Sequence, residues 1–302
     1  MKSTGSWYQV RVAKHTYACR LRGKFKLKGL KVTNPIAVGD RVVLEIEDTQ
    51  QNTGVITDIL PRDNYIIRKS TRKAHHGHLL AANLDQAILI ATLVLPRTSL
   101  GFIDRFLVSA ESFRIPAVVI FNKADLLSEE QIGLQDELMK LYTSIGYRCR
   151  AVSALSEESV PPVREIIDGK VSLFSGHSGV GKSTLLNQIA PDAAQQRTAE
   201  VSSFANKGVH TTTYAEMFAV APGTFVIDTP GIKELGLMDI HDGELGHFFP
   251  EMRELLGACR FHNCIHVQEP GCAVRAAVES GTIDESRYYS YLSMLEDEDN
   301  RR

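Results

Sequence analysis

The residues best suited to chemistry lie together at Gly176, His177, Ser178, Gly179, Val180, Gly181, Lys182, Ser183 and Thr184, which fit the pattern G-x-x-x-x-G-K-[ST]. This is a pattern for holding polyphosphate. Its glycines let the backbone turn tightly and aim successive N–H groups inward. The start of a following helix adds free N–H groups and the positive end of its dipole. Lys182 is placed to reach the β and γ phosphates, and the Ser183 hydroxyl to take a position on Mg²⁺.

A second set selects the base. Asn122, Lys123, Ala124 and Asp125 fit N-K-x-D. The Asp125 carboxylate can accept from both N1–H and the 2-amino group of guanine. Adenine offers neither donor on that edge, and a site built around a required hydrogen bond rejects the analogue lacking it by about 10⁴ or more. Lys123 packs its stem along the purine, and Asn122 ties its loop to the phosphate loop. Ser153 and Ala154 fit S-A-x, with a backbone N–H aimed at the guanine carbonyl. Asp228-Thr-Pro-Gly231 fits D-x-x-G: Asp228 would hold Mg²⁺ through water and the Gly231 N–H would sense the γ phosphate. Between them Lys207-Gly-Val-His-Thr-Thr-Thr213 offers the switch threonine, Thr211 or Thr212. The chemistry expected is hydrolysis of GTP to GDP and phosphate.

A third set, Cys259, Cys264, His266 and Cys272, offers three sulfurs and one imidazole within 14 residues. Cys₃His is a closed tetrahedral zinc set, so one structural zinc is expected. The other reading is free thiols in a reducing compartment. Cys19 and Cys149 stand alone and read as packed residues.

The elements that must position these groups follow from pattern. Residues 1–73 carry short alternating runs separated by turn residues, among them Trp7–Val12, Thr16–Arg22, Arg41–Ile46, Gly54–Leu60 and Tyr65–Lys69. Five such strands predict a small barrel of the oligonucleotide-binding (OB) type. This segment holds 15 Lys/Arg against 6 Asp/Glu, a balance of +9, and the rest of the chain carries −11. A basic unit on an acidic chain points to a polyanion, most simply RNA. Phe25, set among cations, is either a stacking residue or part of the core. His75, His76 and His78 read as an exposed loop after a basic linker.

From Leu84 onward apolar strands alternate with helices, which predicts a mostly parallel α/β sheet over residues 74–236. Residues 237–302 read as a small helical unit around the zinc set. The order of the motifs is informative: N-K-x-D and S-A-x precede the phosphate loop, whereas other GTPases place them after D-x-x-G. The domain therefore reads as circularly permuted, an arrangement a fold survives when its old termini are close and exposed. The strand bearing Asp228 then leads directly into the C-terminal unit, which makes that unit a candidate lever. Ile232 stands where Ras-like enzymes carry the glutamine that orients the attacking water. Slow intrinsic hydrolysis is expected, raised by a partner, with His210 as the nearest candidate to orient water.

No run of about 18 apolar residues occurs and the N-terminus has no apolar signal core, so a cytoplasmic monomer with no membrane span is expected.

Over essentially its whole length the chain resembles the ribosome small-subunit-dependent GTPases, the RsgA family. The matching residues are Gly39-Asp40, Asn83-Leu-Asp-Gln86, Asn122–Asp125, Gly176–Thr184, Gly208–Thr213, Asp228–Ile232, the Cys₃His set and Arg287-Tyr-Tyr-Ser-Tyr291. The resemblance implies an OB barrel, a permuted GTPase domain and a zinc domain. It also implies a late role in maturation of the 30S subunit, contact with 16S rRNA, and hydrolysis stimulated by that subunit. Competing readings are a permuted GTPase of the large subunit, a phosphate-loop kinase of small molecules, and an RNA-binding protein that uses GTP only for stability. The N-terminal barrel argues against the first, and N-K-x-D with D-x-x-G against the second.

Overall fold

The structure, a computed structural model, describes residues 1–3, 7–23, 34–69, 77–191, 215–229, 240 and 242–296. The N-terminal unit is built from β1 (Lys2–Ser3), β2 (Tyr8–Val12), β3 (His15–Leu21), β4 (Val42–Asp48) and β5 (Thr53–Ile59). Their order is β1-β2-β3-β5-β4, and β3–β5 is the one parallel pair among them. Tyr8, Tyr17, Cys19, Ile36 and Ile56 fill its core. Tyr17 and Cys19 sit two apart on β3, the spacing that puts side chains on one face of a strand.

One strand assignment is corrected. The fifth barrel strand is Lys2–Ser3, not Tyr65–Lys69. The latter, β6, pairs with β7 (Gly77–Ala82) in a separate antiparallel hairpin, which also places His78 in a strand rather than a loop. The physical reason lies in adjacent Ile66 and Ile67, buried to 0% and 7% exposure. A half-solvated barrel strand would show one of the two to water; a hairpin covered on both faces hides both. Phe25, His75 and His76 lie outside the described residues.

The central sheet contains β8 (Gln86–Ala91), β9 (Ala117–Phe121), β10 (Arg148–Ala151), β11 (Val171–Ser175), β12 (Glu216–Ala221) and β13 (Thr224–Asp228). The order is β10-β9-β8-β11-β13-β12, parallel throughout except for β12 against β13. All six residues of β8 are buried, as expected of a strand covered on both faces. Helices α1 (Leu100–Ser112), α2 (Glu129–Ser144), α3 (Val160–Ile167) and α4 (Lys182–Ile189) cover the sheet. Ser99 caps α1 by accepting from the Phe102 N–H, and Ser128 with Gln131 forms a capping box on α2. From β8 the chain runs outward through β9 and β10, and from β11 it runs the other way, to β12 and back to β13 between them. The crevice at such a switch point, beyond the carboxyl ends of the strands, is where ligands bind in open α/β sheets.

Two of the sequence motifs turn out to lock the barrel to this sheet. Arg62 makes a nearly buried ion pair with Asp40 at 2.6 Å and donates to the Pro35 carbonyl at 2.7 Å. The Asn83 amide donates to the Gly39 carbonyl at 2.9 Å, and its oxygen accepts the Asp63 N–H at 3.0 Å. Farther along the same motif, Gln86 donates to the Ile166 carbonyl and the Ser172 hydroxyl. Strand β1 also pairs with β12, so barrel and central sheet share one continuous ladder.

The C-terminal unit holds a 3₁₀ stretch (Asp242–Phe248), α5 (Pro250–Arg253), α6 (Ala273–Glu279) and α7 (Glu285–Glu296). Leu245, Phe249, Met252, Val274, Tyr291 and Met294 form its core together with Val108 of α1. Arg287 is fully buried. It donates to Asp104 of α1 at 2.6 Å and to Glu251 at 2.7 Å, with its guanidinium 4.7 Å over the Phe249 ring. Removing one partner of a buried pair strands the others without compensation, at about 3–5 kcal/mol. Arg287→Ala is expected to destabilise by that amount in urea unfolding. The double variant Arg287→Met/Asp104→Asn should recover part of the loss, because the remaining carboxylate, Glu251, still reaches water. A single variant within 1 kcal/mol of the parent would remove this pair from the account of how the units are joined.

Candidate functional site

The predicted nucleotide residues that fall within the described chain gather at the carboxyl ends of the parallel strands. The loop from Gly176 follows β11, Asn122–Asp125 follows β9, Ser153 and Ala154 follow β10, and Asp228 closes β13. Four chain segments far apart in sequence are thus brought to one edge.

Two loop glycines are fixed by close approach. Gly176 has φ +139°, and a Cβ there would stand 2.2 Å from the Ile90 carbonyl oxygen. Gly181 has φ +97°, and a Cβ would stand 2.3 Å from the Asn122 amide nitrogen. No other residue type fits either position without moving backbone or a buried side chain. Helix α4 begins at Lys182, directly after Gly181, so its first N–H groups face the loop. The Lys182 ammonium sits in the loop, donating to the carbonyls of Gly176 at 2.6 Å and His177 at 2.7 Å. Val180 is buried, and Ser178, Gly179, Ser183 and Thr184 are exposed on the loop and the first turn of α4.

Asn122 joins the pieces. It is 1% exposed; its amide donates to the Val180 carbonyl at 2.7 Å and its oxygen accepts the Ala154 N–H at 2.9 Å. Lys123 takes a left-handed conformation, φ 62°, and its ammonium donates to the Leu95 carbonyl. Asp125 follows in a short 3₁₀ turn, Ala124–Leu126, with its carboxylate open to solvent at the rim. The Ser153 N–H donates to the Ser159 hydroxyl at 2.8 Å and the Ala154 N–H to Asn122, so both are engaged inside the protein. The Ala154 N–H thereby braces Asn122. Asp228 is 3% exposed at the end of β13. His210, Thr211, Thr212, Gly231 and Ile232 lie outside the described residues.

The metal candidates also converge. One ligand atom from each of Cys259, Cys264, His266 and Cys272 lies within 4.8 Å of the others. Cys259 Sγ stands 3.6 Å from His266 Nδ1 and 3.9 Å from Cys272 Sγ, and His266 Nδ1 is 3.4 Å from Cys272 Sγ. A tetrahedron with zinc–sulfur legs of about 2.3 Å and zinc–nitrogen legs of about 2.0–2.1 Å has edges of about 3.6–3.8 Å, close to the separations among Cys259, His266 and Cys272. Burial and the adjacent Cys272 and Cys259 sulfurs push the Cys264 thiol up to about 12. Burial would also raise Cys259, but the Ala273 and Val274 N–H groups hold it below the usual thiol value.

Sequence reasoning missed what holds this set. The His266 backbone is left-handed, φ 60°. Glu269 fixes that turn by accepting the N–H groups of Ile265, Val267 and Gln268 at 2.6, 2.9 and 3.0 Å. Burial opposes its charge, yet those N–H groups hold the carboxyl at about 2. Tyr288 and Tyr291 donate to the His266 and Ile265 carbonyls, each at 2.7 Å. The spacing R-Y-Y-S-Y was the available signal: positions one turn apart share a helix face.

The family description "RsgA GTPase" matches residues 59–238, and "RsgA N-terminal domain" matches residues 1–56. The chain belongs to the RsgA GTPase family. A small ribosomal subunit biogenesis GTPase RsgA of Bacteroides fragilis is 51% identical over 99% of this chain and 96% of its own length. The protein of that name from Cytophaga hutchinsonii is 51% identical over 100% of this chain and 98% of its own. Among solved structures, YjeQ from Thermotoga maritima aligns with a TM-score of 0.75 at 36% identity, covering 96% of this chain and 93% of that one. YloQ, described as a circularly permuted GTPase, aligns at 0.74 and 30% identity, covering 100% and 94%. As an RsgA-family member the chain is a GTPase, with a barrel, a permuted GTPase domain and a Cys₃His centre able to hold a metal ion. Among the described residues no helix is long and apolar enough to cross a membrane.

Proposed function

We propose that this chain is a GTP-driven assembly factor of the small ribosomal subunit, working in the cytoplasm as a monomer. The observation that carries the reading is the guanine motif Asn122–Asp125 set beside Gly176–Thr184 at one sheet edge, in a chain half identical to proteins named for small-subunit biogenesis. Asp125 reads guanine, the loop and Lys182 hold the phosphates, and Ser183 and Asp228 serve Mg²⁺. Thr211 or Thr212 completes the Mg²⁺ shell when GTP is bound, and the Gly231 N–H senses the γ phosphate. Residues 1–73 and the unit from 237 to 302, its four ligands holding one zinc, meet 16S rRNA. GTP favours docking and hydrolysis favours release.

The test is turnover of GTP by the purified chain alone, with 30S particles and with 50S particles. Slow basal turnover raised at least tenfold by 30S alone is expected. Stimulation by 50S, or none by either, would overturn the assignment.

A further inference from the structure

Helix α1 touches the phosphate loop at one end and the C-terminal unit along the rest. Phe102, in its first turn, stacks on His177 of the loop, ring centroids 3.8 Å apart at an interplanar angle of 29°. His177 is also the residue whose carbonyl accepts from Lys182. The segment leading into α1 lies against the loop as well: a Cβ on Gly179 would stand 3.4 Å from Pro96. Two residues beyond Phe102, Asp104 is wholly buried and accepts from Arg287 of α7 and, at 2.8 Å, from the Tyr142 hydroxyl. Val108 belongs to the C-terminal core, and Glu111 pairs with Arg253 at 3.0 Å. On α7, the neighbours of Arg287 are the tyrosines that hold the carbonyls of Ile265 and His266.

We propose that α1 is the rod by which occupancy of the phosphate loop is communicated to the metal-bearing unit, with His177 and Phe102 as the positioning residues at its reporting end. The inference rests on the reading of Gly176–Thr184 as a phosphate loop. When Lys182 turns to a phosphate, the His177 carbonyl gives up its cation, and the residue that registers the change has its ring on α1. Thirteen helical residues span about 20 Å and move as one body, because close-packed interiors transmit displacement rather than absorb it. Within the helix's first turns sits the buried Asp104–Arg287 pair, which tolerates discrete arrangements better than gradual stretching, and at its far end Glu111 meets Arg253. This route is separate from the one through residues 230–239, which lead into the same unit in sequence.

The test is hydrogen exchange of the full chain, metal retained, without nucleotide and at saturating GDP. GDP is expected to slow exchange of the α7 amides, Glu285–Glu296, by about fivefold or more, the lower end of ordinary couplings between sites. Phe102→Leu and His177→Gln should each bring that ratio below twofold, and the double variant should match the singles, because both remove one contact. Reading at saturation keeps a loss of affinity from imitating a loss of coupling. A wild-type ratio in either single variant, or effects that add, would overturn the proposal. Calorimetric titration of the parent with GDP separates the two levels. No binding would sink the phosphate-loop reading and this inference together, whereas binding with unchanged α7 exchange would sink the inference alone.

Discussion

Asp125→Asn is expected to lose GTP affinity about a thousandfold and to gain binding of xanthosine triphosphate. The turn that carries Asp125 is anchored at its start, by the left-handed Lys123 and by the Ala124 N–H, which donates to the Val152 carbonyl at 3.1 Å. The backbone beneath the carboxylate is therefore fixed, and on the proposed reading the chemistry of the carboxylate decides the base. Guanine offers two donors on that edge, and hydrogen bonds to a charged acceptor contribute about 1.5–3 kcal/mol each. An amide keeps one acceptor and points a donor at a donor, so both the charge and one bond are lost. A loss of about 4 kcal/mol corresponds to a factor of about 10³. Xanthine carries a carbonyl where guanine has its 2-amino group, so the amide that repels guanine suits it. Calorimetry with the two triphosphates measures both arms. Unchanged GTP affinity in the variant would mean that Asp125 does not read the base.

That site was largely legible in the chain because its elements are local. A phosphate loop needs its glycines at fixed offsets, and Gly176 and Gly181 sit where backbone and Asn122 leave no room for a side chain. Alternating apolar strands and helices gave the sheet, and the order of the motifs gave the permutation. What escaped was non-local. Lys2–Ser3 is too short to show a period, yet it completes the barrel and joins it to β12. The S-A-x motif does not show that the Ser153 and Ala154 N–H groups reach the Ser159 hydroxyl and the Asn122 side chain, which lie outside it. Gly39-Asp40 and Asn83–Gln86 could be seen as motifs but not explained, since their partners Arg62, Asp63, Ile166 and Ser172 come from other segments. Arg287 lies on a helix that reads as polar, and nothing local marks it as the most deeply buried cation of the described residues.

Removing the metal is expected to unfold the turn from Ala258 to Cys272 while leaving the central sheet intact. The apolar core of the C-terminal unit is small and lies on the α1 side, built from the helices on either side of that turn. The turn itself offers little apolar burial: Phe261 and Ile265 are 41% and 38% exposed. Its order rests on the four ligands, on Glu269 and on the two tyrosine hydroxyls. Structural zinc supplies about 10–16 kcal/mol of apparent folding energy at neutral pH, far more than those hydrogen bonds at about 1 kcal/mol each. The ligands must be deprotonated to bind, so uptake releases protons and retention weakens as pH falls. Elemental analysis should find one zinc per chain. After chelation, or in Cys272→Ser, amide protection across the turn should fall by at least 10³ while β8 and β11 keep theirs. The buried Arg287–Asp104 pair and the Val108 contact hold α7 against α1 independently of the metal, so the helix should remain protected longer than the turn it supports. Protection of the turn that survives metal removal would show that packing alone orders it.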